Sequence, residues 1–168
     1  AVDLIGHSFG ATIALRLALE APGAVRRLVL IEPAFVAAAR GGPVFDAYLA
    51  DAQQVFDDLD AGDDLAAARG FNRLWSGMPW AKLPQAQRDE LVRLMPVIPA
   101  QSSAVVEDAP GLLAPGRLEG IGCPVLLVEG AASPPIVGAI MDRLAERLPN
   151  PERVRIDGAG HMAPLTHA

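Results

Sequence analysis

The chain has 168 residues, of which 51% are apolar and 20% charged, with a formal net charge of −6. Those values describe one globular core, or part of a larger one, and exclude a disordered chain. The acidity and the lack of any Lys/Arg block (Lys82 is the only lysine) argue against a nucleic-acid partner, and Cys123, the only cysteine, rules out an internal disulfide and makes a metal-ligand cluster unexpected.

In chain order, residues 2–5 read as a short buried strand and residues 11–21, rich in Ala and Leu, as a helix packed against a sheet. Between them lies Gly6-His7-Ser8-Phe9-Gly10, where the apolar run turns into helix. Pro22-Gly23 stops that helix, and Arg27-Leu28-Val29-Leu30-Ile31 is a second strand ending at Glu32-Pro33. Strand, helix and strand within about thirty residues form a βαβ unit with a parallel pair. No initiator methionine precedes residue 1, which already belongs to a strand, so the chain reads as a fragment. It shows no signal-peptide pattern and no apolar stretch long enough for a bilayer, and the expected location is cytoplasmic.

From residue 34 to residue 117 the pattern is helical, with helices expected over 44–59, 63–75, 84–94 and 102–108. Strand character returns at Cys123-Pro124-Val125-Leu126-Leu127-Val128, closing on Glu129-Gly130. Ser133-Pro134-Pro135 reads as an N-cap with proline in the first turn, ahead of a helix carrying Val137, Ile140, Met141, Leu144 and Leu148. A last strand over 153–156 leads into Gly158-Ala159-Gly160-His161. The fold class is therefore α/β: a parallel sheet of about four strands flanked by helices, with an all-helical insertion. Three segments follow from this, namely 1–33 and 118–168 as core and 34–117 as insertion. Loops after the C-terminal ends of parallel strands carry binding groups, and Ser8, Glu32, Glu129 and His161 all occupy such loops.

Taken together, GHSFG between strand and helix, LVLIEP, the helical insertion, PVLLVEG and GAGH in this order resemble the C-terminal two-thirds of an α/β-hydrolase with a cap domain. A serine hydroxyl needs a base to become a nucleophile. On this resemblance Ser8 is the nucleophile and His161 the base, and the backbone N–H of Phe9, opening the helix, is an oxyanion-hole donor. Gly6 and Gly10 are expected to relieve crowding at the turn, and Gly158 and Gly160 to curve the histidine loop toward Ser8. Most relatives place an aspartate three residues after the glycine ending the PVLLVEG-type strand; here that position is Ser133. Glu32, located where some relatives supply their acid, is the first substitute and Glu129 the second. Asp157 reads as a turn-former, Asp3 as a buried acid in need of a partner, His167 as a bystander and His7 as packing beneath the turn.

The insertion would be the cap. Trp75, Met78 and Trp80 are candidates both for an apolar pocket wall and for anchors of the cap's own core, while Phe45, Tyr48 and Phe56 read as one helix face. The implied activity is serine-dependent hydrolysis of ester-type or related apolar acyl substrates through an acyl-enzyme. Two alternatives stand beside it: a carbon–carbon bond hydrolase or perhydrolase using the same serine, and a non-catalytic ligand-binding protein, which the absent aspartate would favour. No cofactor or metal is called for, and the expected partner is a small-molecule substrate, with no nucleic acid and no membrane. An unpaired apolar first strand makes self-association of the chain an expectation.

Overall fold

The computed structural model describes residues 1–167. Its elements in chain order are β1 (Val2–His7), α1 (Phe9–Glu20), β2 (Val25–Ile31), α2 (Pro43–Asp60), α3 (Asp64–Trp75), α4 (Gln85–Leu94), α5 (Ile98–Val105), β3 (Val125–Gly130), α6 (Pro135–Arg147), β4 (Glu152–Ile156) and the short α7 (Ala163–Thr166). Among the described residues the sheet has four strands in the order β1-β2-β3-β4, every pair parallel. All four strands therefore end on one edge, and the loops carrying Ser8, Glu32, Ser133 and His161 lie along it. No helix among the described residues is long and apolar enough to cross a membrane.

Successive strand residues face opposite sides of a sheet. The register aligns Leu4 with Leu28 and Leu30 with Leu127, which puts Leu4, Leu28, Leu30, Val125 and Leu127 on one face. Onto that face α1 packs Ala11, Ala14, Leu15 and Ala18, and α6 packs Ile136, Val137, Ile140, Met141 and Leu144, together forming the main core. Their spacing of three and four residues keeps the apolar side chains on one side of each helix. The second face carries Ile5, Val29, Ile31, Leu126, Val128, Val154 and Ile156, and there Ile5 is 67% and Val154 46% exposed. A smaller core of Val55, Ala67, Ala68 and Met95 holds the helices between β2 and β3 together.

Two expectations need correction. β1 is the edge of the sheet, as expected of an unpaired first strand, but it is not buried, with Val2 and Ile5 exposed. Accordingly Asp3 lies near the surface, where both carboxylate oxygens accept from Arg26, at 2.8 and 2.6 Å. A run of apolar residues cannot by itself separate an edge strand from a central one, because both read as Val/Ile/Leu. The last helix of the insertion starts earlier than expected and ends at Val105, since Pro99 sits in its first turn, where a proline needs no N–H partner.

Candidate active site

Ser8 follows the last residue of β1 and caps α1 in the left-handed region, at φ 55°. This conformation is uncommon outside glycine and is held here by several bonds. The Ser8 N–H donates to the Ile31 carbonyl (3.0 Å), and its own carbonyl accepts from Ala11 (3.0 Å) and Ala34 (3.1 Å). At Gly6 a Cβ would stand 2.5 Å from the Gly10 carbonyl oxygen and 2.6 Å from Ala11 Cα. Those are backbone atoms that cannot move aside, so strand and helix approach this closely only because Gly6 lacks a side chain. Gly10 differs from the expectation: a Cβ there meets nothing within 4 Å, so only the first glycine is sterically required. Phe9 is the first residue of α1, so its N–H has no intrahelical acceptor.

His161 arrives from the opposite end of the sequence. Its loop turns at Gly158 (φ 72°), and the Ala159 carbonyl accepts from Ala132 N–H at 2.8 Å, tying the loop to the segment after β3. The buried imidazole places Nε2 3.0 Å from Ser8 Oγ and Nδ1 2.7 Å from Glu32 Oε2. Because a carboxylate only accepts, the Nδ1 proton points at Glu32 and Nε2 is free to accept from the serine hydroxyl.

Glu32, also in the left-handed region (φ 44°), is fully buried. Its Oε1 accepts from the Gly130 N–H at 2.5 Å and from the Ser133 hydroxyl, leaving Oε2 to His161. Burial alone would push this carboxyl up, but the His161, Ser133 and Gly130 donors outweigh burial and hold it below its ordinary 4.5. In the window below 4.5 the unfolded chain binds a proton at this residue while the folded one does not, so stability falls as the pH drops through that window. Urea midpoints measured from pH 6 downward should therefore fall more steeply for the wild type than for Glu32→Gln; equal slopes would contradict the depressed value.

The other carboxylate considered for this position, Glu129, is occupied elsewhere. It pairs with Arg153 at 2.8 Å, and Arg153 also pairs with Asp142 on α6 at 2.6 Å. Strand alternation explains this, since Glu129 falls on the helix-covered face with Val125 and Leu127. Ser133 does not cap α6, whose N-cap is Pro134. Its hydroxyl reaches Glu32 instead, which the Ser-Pro-Pro pattern did not suggest. Gly130 is equally constrained, because a Cβ there would overlap the Ala159 carbonyl. Asp157 lies in the turn after β4, and His167 Nδ1 lies 2.8 Å from the Thr166 hydroxyl.

From the helical segment, the three tryptophan–methionine candidates separate. Trp75, at the end of α3 and only 5% exposed, lies against His161 with ring centroids 4.8 Å apart, and Tyr48 meets it edge-on at 5.7 Å. Burial pushes the Tyr48 phenol up to about 12, so it stays neutral against the Trp75 ring. Trp80 packs instead on the smaller core, and Met78 is exposed. Among the described residues no group of three or more His, Cys, Asp or Glu side chains is arranged to hold a metal ion.

A parallel α/β sheet whose C-terminal edge joins a serine on a strand-to-helix turn, a histidine and a buried carboxylate defines a recognisable class of protein. The chain belongs to the alpha/beta hydrolase family, whose sequence profile matches residues 1–168. Solved structures agree in fold. 2-Hydroxy-6-oxo-6-phenylhexa-2,4-dienoate hydrolase from Rhodococcus sp. strain RHA1 is 17% identical with a TM-score of 0.69, over 97% of this chain and 58% of its own. MenH from S. aureus is 20% identical (TM-score 0.66, 97% and 62%), and an esterase from Exiguobacterium antarcticum is 20% identical (TM-score 0.64, 99% and 62%). The chain thus spans about three-fifths of the length of these structures. No curated protein sequence matches it at a significant level.

Proposed function

We propose that the protein is a serine hydrolase of ester-type, apolar acyl substrates. The observation that carries this reading is the continuous relay from Ser8 Oγ through both His161 nitrogens to Glu32, at 3.0 and 2.7 Å. Ser8 Oγ attacks the acyl carbon as its proton passes to His161 Nε2. Glu32 stabilises the imidazolium so formed and keeps the imidazole in the tautomer that can accept. The Phe9 N–H, at the positive end of α1, binds the oxygen that becomes negative in the tetrahedral intermediate, a contact worth about 3 kcal/mol in comparable sites. The intermediate collapses as the leaving alcohol takes the proton from Nε2. Water then repeats the sequence on the acyl-enzyme, releasing the acid and restoring Ser8.

Ser133, unable to carry charge, contributes in this reading a donor that holds Glu32. A non-catalytic binding role drew its support from the missing aspartate; with the Glu32 carboxylate beside His161, that support disappears. Residues 34–117 act as the cap, and Trp75 is the side chain by which the cap shields the imidazole from water.

A fluorophosphonate probe tests the reading on the full-length protein. Covalent labelling at Ser8 that disappears in His161→Ala is the expected result, and a wild-type protein that resists the probe overturns it. The 168-residue chain on its own is expected to self-associate with a second copy, through the β1 edge and the apolar face bearing Ile5 and Val154, because parallel sheets are ordinarily covered on both faces. Light scattering coupled to size exclusion should show species larger than a monomer. A monodisperse monomer would contradict this.

A further inference from the structure

The residue immediately before the proposed nucleophile makes a contact that the relay does not use. His7 Nε2 lies 2.7 Å from the backbone carbonyl oxygen of His161, and the two rings stand 5.0 Å apart. A carbonyl only accepts, so the His7 proton must sit on Nε2 and point at that oxygen. The two residues are 154 positions apart, and this bond ties the serine turn directly to the histidine loop. No backbone N–H bonds the His161 carbonyl among the described residues; the neighbouring loop bonds, Ala132 to Ala159 and Ala163 to Gly160, hold the residues on either side. Glu32 fixes the far end of the imidazole, and among the described residues the bond from His7 is the one hydrogen bond made to the His161 main chain itself.

We infer that His7 is a positioning residue that clamps the His161 main chain and so sets the distance between the His161 base and Ser8. The inference rests on the serine-hydrolase reading and goes beyond it by assigning a task to the residue that precedes Ser8 in the GHSFG turn. The physical basis is the steep dependence of proton transfer on geometry: a displacement of about 1 Å can cost about 100-fold. Burial, the main influence on His7, pushes it below the ordinary histidine range and favours the neutral ring. In that form Nε2–H serves as the single donor of the clamp.

Rates of Ser8 labelling by a fluorophosphonate, measured on the full-length protein, test this. His7→Phe keeps the ring but removes the donor, and should label about ten-fold or more slowly. His7→Gln places an amide N–H at similar reach, and should stay within about three-fold of wild type. Thermal midpoints recorded alongside separate the clamp from a packing role, since a residue needed only for packing lowers the midpoint without this contrast in rate. Should His7→Phe not fold, His7→Leu makes the same comparison. A donor-less variant that labels at the wild-type rate, or a His7→Gln as slow as His7→Phe, overturns the clamp while leaving Ser8 as nucleophile. Failure of the wild type to label would instead overturn the nucleophile assignment beneath it.

Discussion

Ser8→Ala is expected to lower kcat for an activated ester by roughly 10^6-fold, leaving only the rate that substrate binding and the Phe9 N–H sustain. This corresponds to about 8 kcal/mol of lost transition-state stabilisation. The size of the effect follows from the proposed covalent mechanism, in which removal of the Oγ would leave no acyl-enzyme to form and no proton for His161 and Glu32 to move. The fold should survive, because Ser8 is held by its backbone N–H and carbonyl, which alanine retains. The φ of 55° adds a strain of order 1 kcal/mol that serine already bears. Stopped-time assays with a p-nitrophenyl ester, alongside a circular dichroism spectrum, measure both. A variant that keeps more than about one-hundredth of the wild-type rate would contradict the assignment.

Glu32→Gln is expected to cost roughly 10^4-fold in kcat with little change in KM. The amide is nearly isosteric with the carboxylate but cannot carry the charge that stabilises the His161 imidazolium. It also presents an N–H where Nδ1–H needs an acceptor, which favours the wrong tautomer. Glu129→Gln is the informative control. Glu129 pairs with Arg153, which keeps Asp142 as a second partner, so this variant should hold wild-type turnover even where some stability is lost. If Glu129→Gln were the damaging change and Glu32→Gln the silent one, the acid would have been placed on the wrong strand.

How much of this was legible in the sequence depends on whether a signal is local. The βαβ start, the return of strand character at Val125 and the final strand are readable because each element rests on a short run of neighbouring residues, and the parallel sheet follows from them. The strand-end positions of Ser8 and His161 were readable for the same reason, since turn chemistry marks GHSFG and GAGH. For the proposed acid the sequence ranks Glu32 ahead of Glu129 by resemblance, but the contacts that set the two apart are not written in it. What separates Glu32 from Glu129 is contact with Gly130 and Ser133, which lie 98 and 101 positions away from Glu32. No periodicity encodes such a contact. The hydroxyl of Ser133 illustrates the point: in the sequence it looks like a helix cap, yet in the structure its partner is a carboxylate from another strand.

The same limit hid the surroundings of His161. Trp75 was one of three apolar candidates, and only the path of α3 sets it over the imidazole while Trp80 turns into the smaller core. His7 looked like packing beneath the turn because its partner is a main-chain carbonyl, which has no side-chain identity to recognise. The unpaired edge of β1 is legible but its exposure is not, since hydrophobicity reports the tendency to be covered and not the presence of a cover. Glycine carried part of the missing information: Gly6 and Gly130 are the two positions where a Cβ would strike backbone, and both frame the site.

The most direct measurement is a crystal structure of the full-length protein inactivated with a fluorophosphonate. The expected adduct has a bond between phosphorus and Ser8 Oγ, the phosphoryl oxygen about 2.7–3.1 Å from the Phe9 backbone nitrogen, and His161 still bridging the adduct and Glu32. An adduct on any other residue, or a phosphoryl oxygen turned away from the start of α1, would contradict it.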